Sequence, residues 1–270
     1  MNRKLIITAD DFGISEKVNR AIEKAHQSGI LHTASLMPGG NAFQDALERA
    51  RRLPALRIGL HLALVDAHPV LTPEAIPDLV DAQGRLASDL VRAGFSFFFK
   101  MDIRRQLAGE IRAQFEAFQK TGLVLDHVNS HHHMHLHPTI NELMIRIGVQ
   151  YGMKAVRYPR EPVLSHFRDR FLLLPWLNLL RNRLAKAGIR SNDAVFGISE
   201  SGRMSLDRTV DFIRHLPPGV TEIFFHPGAA NQKSDTMDSA KDGDLAILLH
   251  PALRQAIEAS EAEQISFEDL

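Results

Sequence analysis

The sequence contains no cysteine, which excludes disulfides, thiolate nucleophiles and any cysteine-ligated zinc site. Neither sign of charge is in excess: 32 Lys and Arg balance 32 Asp and Glu. Nucleic-acid binders usually carry a basic surplus, so no nucleic-acid partner is expected. Long hydrophobic runs are missing too, since no segment reaches the roughly 18 uninterrupted apolar residues of a spanning helix. Met-Asn-Arg-Lys leads directly into a strand-like segment, without the apolar stretch of a signal peptide. A cytoplasmic location is the expectation.

What is present is an ordinary globular composition over 270 residues, with 44% apolar and 24% charged side chains, enough to bury a sizeable core. The exception is histidine. Of 14 histidines, six fall between His127 and His137.

Short apolar runs alternate with amphipathic stretches along the chain. Leu5–Ile7, Ala34–Met37, Ile58–Leu62, Leu125–Val128, Ala155–Arg157, Ala194–Ile198, Glu222–Phe225 and Ile265–Phe267 read as strands. Helical patterns occupy about Ser15–Ser28, Ala42–Leu53, Ile103–Lys120, Thr139–Tyr151, Leu206–His215 and Leu245–Ala259. This alternation predicts an α/β protein with a mainly parallel sheet, and eight strand candidates favour a TIM-like barrel over an open sheet. No repeat or domain boundary interrupts residues 1–270, which read as a single domain. Two segments break the rhythm. Val65–Phe95 is rich in Pro, Asp and Gly and reads as a long excursion. Phe167–Arg190 joins a Leu-rich run and Trp176 to a basic helix with Arg181, Arg183, Lys186 and Arg190. It reads as a packed helix or a homodimer contact; such a helix can also lie on an anionic membrane surface, with Phe95–Phe99 adding an apolar lip.

On this strand map the polar residues gather at carboxyl ends. Asp10 and Asp11 follow the first strand, His61 lies near the end of the third, His131 follows the fourth, Arg157 ends the fifth and His226 ends the seventh. In a βα barrel those ends converge on one rim. Taken singly, His61 in Ile-Gly-Leu-His-Leu-Ala-Leu reads as a core histidine bonded to a carbonyl, and consecutive acids often cap a helix. Ser15 is the better cap, which leaves one carboxylate for a metal and the other as a base. The internal, interrupted run His127-Val-Asn-Ser-His-His-His-Met-His-Leu-His-Pro138 indicates a metal site, although spacing does not say which imidazoles coordinate. His226, before Pro227, is equally a turn residue or an acid for a leaving group.

Thr-Ala-Asp10-Asp11-Phe-Gly-Ile-Ser, Gly-Leu-His61-Leu, Asp-His-Val-Asn-Ser-His131-His-His-Met-His and Phe-His226-Pro-Gly together resemble the YdjC-like carbohydrate deacetylase family, in order and separation, over nearly the whole chain. More narrowly, Gly-Leu-His-Leu-x-Leu-Val-Asp, Ile-Pro-Asp-Leu-Val-Asp and Arg-Gln-Leu-x-x-Glu-Ile-Arg-Ala-Gln-Phe-Glu-Ala-Phe resemble the branch associated with hopanoid lipid biosynthesis. The resemblance implies an irregular (β/α) barrel with one divalent ion, commonly magnesium. It makes Asp11, His61 and His131 the ligands, Asp10 the general base and His226 the candidate general acid; Arg157 and His133 are candidate substrate contacts. Arg157 could equally orient a carboxylate. Ligand chemistry itself favours zinc, because magnesium prefers an all-oxygen shell. Many relatives have Asp where this chain has Asn129, which weakens any mechanism needing a carboxylate there.

The implied reaction is removal of the N-acetyl group from an N-acetylglucosaminyl hopanoid, which would bring the protein to the periphery of the inner membrane. A chitooligosaccharide such as diacetylchitobiose is the alternative acceptor. A metal-dependent phosphoesterase would need more carboxylates than these motifs supply, and a non-catalytic metal or sugar binder would not need Asp10.

Overall fold

The computed structural model describes residues 3–162, 167–201, 204–228 and 243–270, with the backbone alone at 167–172. Its first strand, β1 (Arg3–Phe12), is buried from Leu5 onward. A strand covered on both faces belongs at the centre of a parallel sheet. Helix α1 (Glu16–Ser28) follows, capped by the Ser15 side chain, which accepts from the Val18 amide. The cap assignment leaves Asp10 and Asp11 free of helix duty.

The chain continues through β2 (Thr33–Leu36), α2 (Phe43–Arg52) and β3 (Arg57–Leu62). The predicted excursion then holds one isolated bridge, Val80 to Leu86, before α3 (Leu90–Phe99) begins. Next come α4 (Met101–Lys120), β4 (Val128–Ser130) and a 3-10 segment over His131–Leu136, leading into α5 (Pro138–Gly148). Helix α6 (Phe167–Lys186), β5 (Ala194–Phe196), α7 (Leu206–Arg214) and β6 (Gly219–Phe225) follow. Helices α8 (Asp244–Leu249) and α9 (Pro251–Ala259) lead to the short β7 (Glu263–Gln264).

All sheet pairings are parallel, in the order β4-β3-β2-β1-β6-β5, with β7 also pairing β1. The sheet curls into a half-barrel, the TIM-like α/β form expected. Residues 154–160 bridge its two ends. On one side the Val128 amide donates to Ala155 and the Arg157 amide to Val128, each at 3.0 Å. On the other, the Val156 amide donates to Arg190 at 3.0 Å and the Val195 amide to Arg160 at 2.9 Å. Ala155–Arg157, expected as a full strand, is thus a seam of single bridges.

Other boundaries also shift. The fourth strand begins at Val128, where the 125–128 segment was expected to supply it. The expected helix over 245–259 is two helices, because Pro251 has no amide to continue α8 and instead starts α9. Ile265 bonds to Leu5, but Phe267–Asp269 is a 3-10 turn closed by a Ser266–Asp269 capping box.

Helix α6 packs on α5: Leu177, Leu180 and Leu184 are buried, and Arg183 donates to the Pro138 carbonyl and the Asn141 side chain. Arg181 lies over the Tyr158 ring at 5.9 Å. Side chains of Phe167 to Leu172, part of the segment singled out in the sequence, lie outside the described residues. No helix among the described residues is long and apolar enough to cross a membrane.

Candidate metal centre

The site begins with an irregularity in β1. Register runs Ala9 to Ala34 and then Phe12 to Leu36, so Asp10 and Asp11 together oppose one residue, Ser35. Asp11 takes a left-handed backbone, φ 65°. Neighbours in a regular strand face opposite ways; a bulge re-aims one of them, and Asp tolerates the left-handed region better than most residues. Both acids consequently reach the His61 side of the sheet.

Adjacent strands then supply a continuous row of polar groups on the inner face. Ser35 on β2 donates to Asp10 Oδ1 at 2.8 Å and lies 3.1 Å from His61 Nδ1. Asn129 on β4 is the register partner of His61 on β3. Its Nδ2 donates to Asp10 Oδ1 at 2.9 Å, and its Oδ1 faces His61 Nδ1 at 2.7 Å. With Asn129 Oδ1 accepting, His61 carries its proton on Nδ1 and points the Nε2 lone pair away.

That Nε2 is buried and makes no hydrogen bond among the described residues, although it lies 3.2 Å from Asp11 Oδ1. His131 Nδ1 approaches the same oxygen at 3.1 Å. One ligand atom each from Asp11, His61 and His131 lies within 4.8 Å of the others. An orphaned lone pair converging with a carboxylate oxygen and a second imidazole is the donor set a divalent cation accepts. Charge agrees with this fit. The buried side chains of Asp10 and Glu222 share the guanidinium of Arg157, and among the described residues no Lys or Arg pairs with Asp11. Asp66, His131 and His132 form a second, more exposed grouping that shares His131.

Arg157, fully buried, is held between two carboxylates. It donates to both oxygens of Asp10, at 2.5 and 2.9 Å, and to both of Glu222, at 2.8 and 2.7 Å. Its guanidinium is occupied in orienting Asp10. Burial alone would raise the Asp10 pKa, but Arg157, aided by His61, holds it far below the carboxylate range. Among the described residues Asp10 Oδ1 accepts from Ser35, Asn129 and Arg157, whereas Oδ2 accepts from Arg157 alone. Oδ2 is the oxygen with acceptor capacity left. Burial likewise opposes ionisation of Asp11, and the nearby His131 and His61 imidazoles outweigh that. His61 is the reverse case: burial disfavours its charged form, but Asp10 and Asp11 raise its pKa.

The other histidines of the cluster separate by contact. His135 bonds Ser130 Oγ at 2.7 Å and the Arg157 carbonyl at 3.1 Å, bracing the end of β4. His137 Nε2 donates to the Gly94 carbonyl at 3.0 Å, while its Nδ1 accepts from the Thr139 amide and caps α5. His127 bonds Asp126 and stacks on Phe267, filling the space that Gly59 leaves by lacking a Cβ. His132 and His133 both take left-handed backbones, φ 53°. His133 Nδ1 is buried without a partner among the described residues, and its ring meets the Phe224 ring at 5.3 Å. His226 approaches the same Phe224 ring at 5.5 Å, and its amide donates to Asp244 at 2.7 Å. Burial, then Arg157, pushes the His133 pKa well below the ordinary imidazole value.

Asp11, His61 and His131 thus meet at one point, with Asp10 beside them behind Ser35 and Asn129. His133 and His226 flank Phe224. Sequence reasoning missed Ser35, Glu222 and Asp244. Glu222 did leave a signal, a charge inside the apolar strand Thr221–Phe225 that demands a buried partner; Ser35 and Asp244 left none.

Known proteins resemble this chain along most of its length. The model of a family described as YdjC-like protein matches residues 4–259. A carbohydrate deacetylase from Brevibacillus brevis is 30% identical over 99% of each chain. One from Vibrio cholerae is 38% identical over 55% of this chain and 56% of its own. A structure from Enterococcus faecalis V583, provisionally described as a cellobiose-phosphate cleavage protein, superposes with a TM-score of 0.78 at 25% identity, covering 100% of this chain and 99% of that one. A lactam utilization protein from Thermus thermophilus shares the fold at a TM-score of 0.53 and 15% identity, over 97% and 98% of the chains.

Proposed function

Because the chain belongs to the YdjC-like family, we propose that it hydrolyses the N-acetyl group of an amino sugar to free amine and acetate, at a divalent cation held by Asp11, His61 and His131. The observation that carries the metal is the buried, unpartnered His61 Nε2 set 3.2 Å from Asp11 Oδ1. The deacetylase relatives supply the reaction class.

A cation bound there would polarise the acetamide carbonyl and acidify a water molecule. The chain's own residues do the rest. Arg157 favours the ionised form of Asp10 and fixes its plane, which leaves a lone pair on Oδ2 to take a proton from the attacking water. His226, across Phe224 from His133, donates a proton to the departing sugar amine. His133, whose burial favours the neutral ring, offers a ring nitrogen to the substrate. Asn129 does not need to be a carboxylate in this arrangement. Its amide donates to Asp10 and its carbonyl sets the His61 tautomer, two tasks that one Asp could not perform together.

Two imidazoles favour zinc or another late divalent metal on ligand chemistry, while the family resemblance favours magnesium. For the acceptor, the branch resemblance favours an N-acetylglucosaminyl hopanoid over diacetylchitobiose. Acetate release measured side by side on the two substrates tests that choice: activity confined to chitobiose removes the hopanoid. Asp10→Asn should lower turnover at least about 10²-fold while the protein still binds its cation. Near-normal turnover in that variant refutes the base assignment.

A further inference from the structure

Asp66 has no task in the hydrolytic scheme, yet the chain holds it beside the metal centre. Its Oδ2 lies 3.6 Å from His132 Nε2, and the His132 ring meets the His131 ring at 4.2 Å. One ligand atom each from Asp66, His131 and His132 lies within 4.8 Å of the others, so His131 belongs to two donor sets at once. In the first set Asp11 and His61 are buried; the second opens to solvent, with the Asp66 and His132 side chains exposed at 46% and 39%.

A rim carboxylate is common and by itself signals nothing. What sets Asp66 apart is how firmly its loop is held. Helix α4 presents Gln106, Glu110 and Gln114 at four-residue spacing, on one face, and each bonds the segment between β3 and α3. Gln114 donates to the Ala63 carbonyl at 2.6 Å and accepts from the Ala63 amide at 2.9 Å. Glu110, fully buried, accepts from the Val70 and Leu71 amides at 2.8 and 3.0 Å. Gln106 accepts from the Asp78 amide and donates to the Asp78 carboxylate. The Arg-Gln-Leu-x-x-Glu-Ile-Arg-Ala-Gln stretch singled out in the sequence thus ties down the loop that carries Asp66. Asp66 and His132 both take left-handed backbones, φ 48° and 53°, and neither is a glycine. Such conformations persist only where the surroundings fix them, and they concentrate at ligand sites.

Two imidazoles and one carboxylate suit zinc better than magnesium or calcium. Arg85 opposes a cation here, 3.8 Å from Asp66 Oδ1, but both groups are about half exposed and solvent screens the pair. With that neighbour and that exposure, the outer set is the weaker of the two. A neutral imidazole has a single lone pair. If His131 gives it to an outer cation, Asp11 and His61 lose their third partner.

We propose that Asp66, His132 and the shared His131 form a second, weaker zinc site, and that zinc bound there inhibits the enzyme by taking His131 from the catalytic set. The site stands on its own residues; only the inhibition rests on the deacetylase reading.

Zinc alone is the probe, added to chelator-stripped protein and followed by calorimetry and equilibrium dialysis, with acetate release measured in parallel. The first equivalent should restore turnover. A second zinc should bind only in excess of the first, and turnover should fall as it fills. Asp66→Asn/His132→Gln should bind the first zinc and not the second, keep the wild-type circular dichroism, and no longer lose turnover in excess zinc. His131→Ala should lose both ions, which two independent sites would not do. A wild type that takes up no zinc beyond one per chain overturns the proposal. So does a second zinc retained in the double variant, which indicates adventitious surface binding only. A second zinc that leaves turnover intact refutes the inhibition. Zinc held by Asp66 and His132 with no acetate released at any loading would sink the deacetylase reading and leave the site.

Discussion

Arg157 grips Asp10 through both terminal nitrogens, Nη1 on Oδ2 at 2.5 Å and Nη2 on Oδ1 at 2.9 Å, in a place neither side chain shares with solvent. The same guanidinium spans to Glu222, so one positive charge serves two buried carboxylates. Arg157→Met strands both, and breaking a buried pair from one side typically costs about 3–5 kcal/mol. Urea unfolding should show a loss of that size. Arg157→Lys keeps the charge without the fork, and should recover part of the stability while acetate release stays about 10- to 100-fold down. Wild-type unfolding in the Met variant would show that the pair is not holding the barrel's interior together.

Ser35 sits between base and ligand, donating to Asp10 and lying 3.1 Å from His61 Nδ1. Ser35→Ala removes a buried donor, at about 1–2 kcal/mol of stability. It should lower kcat about tenfold and leave KM within about twofold, since an oriented partner of a reacting group affects the step and not substrate capture. An unchanged kcat would reduce Ser35 to packing.

His135 links pH to stability. Burial, with Arg157 behind it, pushes its pKa from 6.5 down to about 3. Between those values the unfolded chain takes up a proton that the folded chain refuses. Stability present above pH 6.5 is therefore lost as pH falls toward 3, by at most about 1.4 kcal/mol per pH unit for this group. His135→Gln removes the titration, so its unfolding free energy should depend less steeply on pH between about 6.5 and 4.5, whatever its value at neutral pH. Parallel slopes for variant and wild type would contradict the assignment.

Much of this centre was legible in the chain. Asp11, His61 and His131 each follow or end a buried apolar run, and a parallel sheet brings such ends together by geometry. The Ser15 cap could be read because a hydroxyl just before an amphipathic stretch has one common use. At 154–160 the apolar run was legible as a strand, but not that it pairs through single bridges alone, since these impose no periodicity on side chains. Nor was the backbone legible at Asp11, His132 and His133, where left-handed conformations occur without the glycine that usually announces them. Six clustered histidines announced a site but not their tasks. What separated ligand from brace was which carbonyl, hydroxyl or ring each one met.

Metal stoichiometry coupled to turnover is the decisive measurement. Protein stripped with a chelator should release no acetate from an N-acetylglucosamine substrate, and calorimetric titration with zinc or magnesium should fill one site per chain as activity returns in proportion. His131→Ala should abolish both the binding and the recovery. Full acetate release from the stripped protein, or recovery that tracks a second ion at Asp66 and His132, would contradict a single cation on Asp11, His61 and His131.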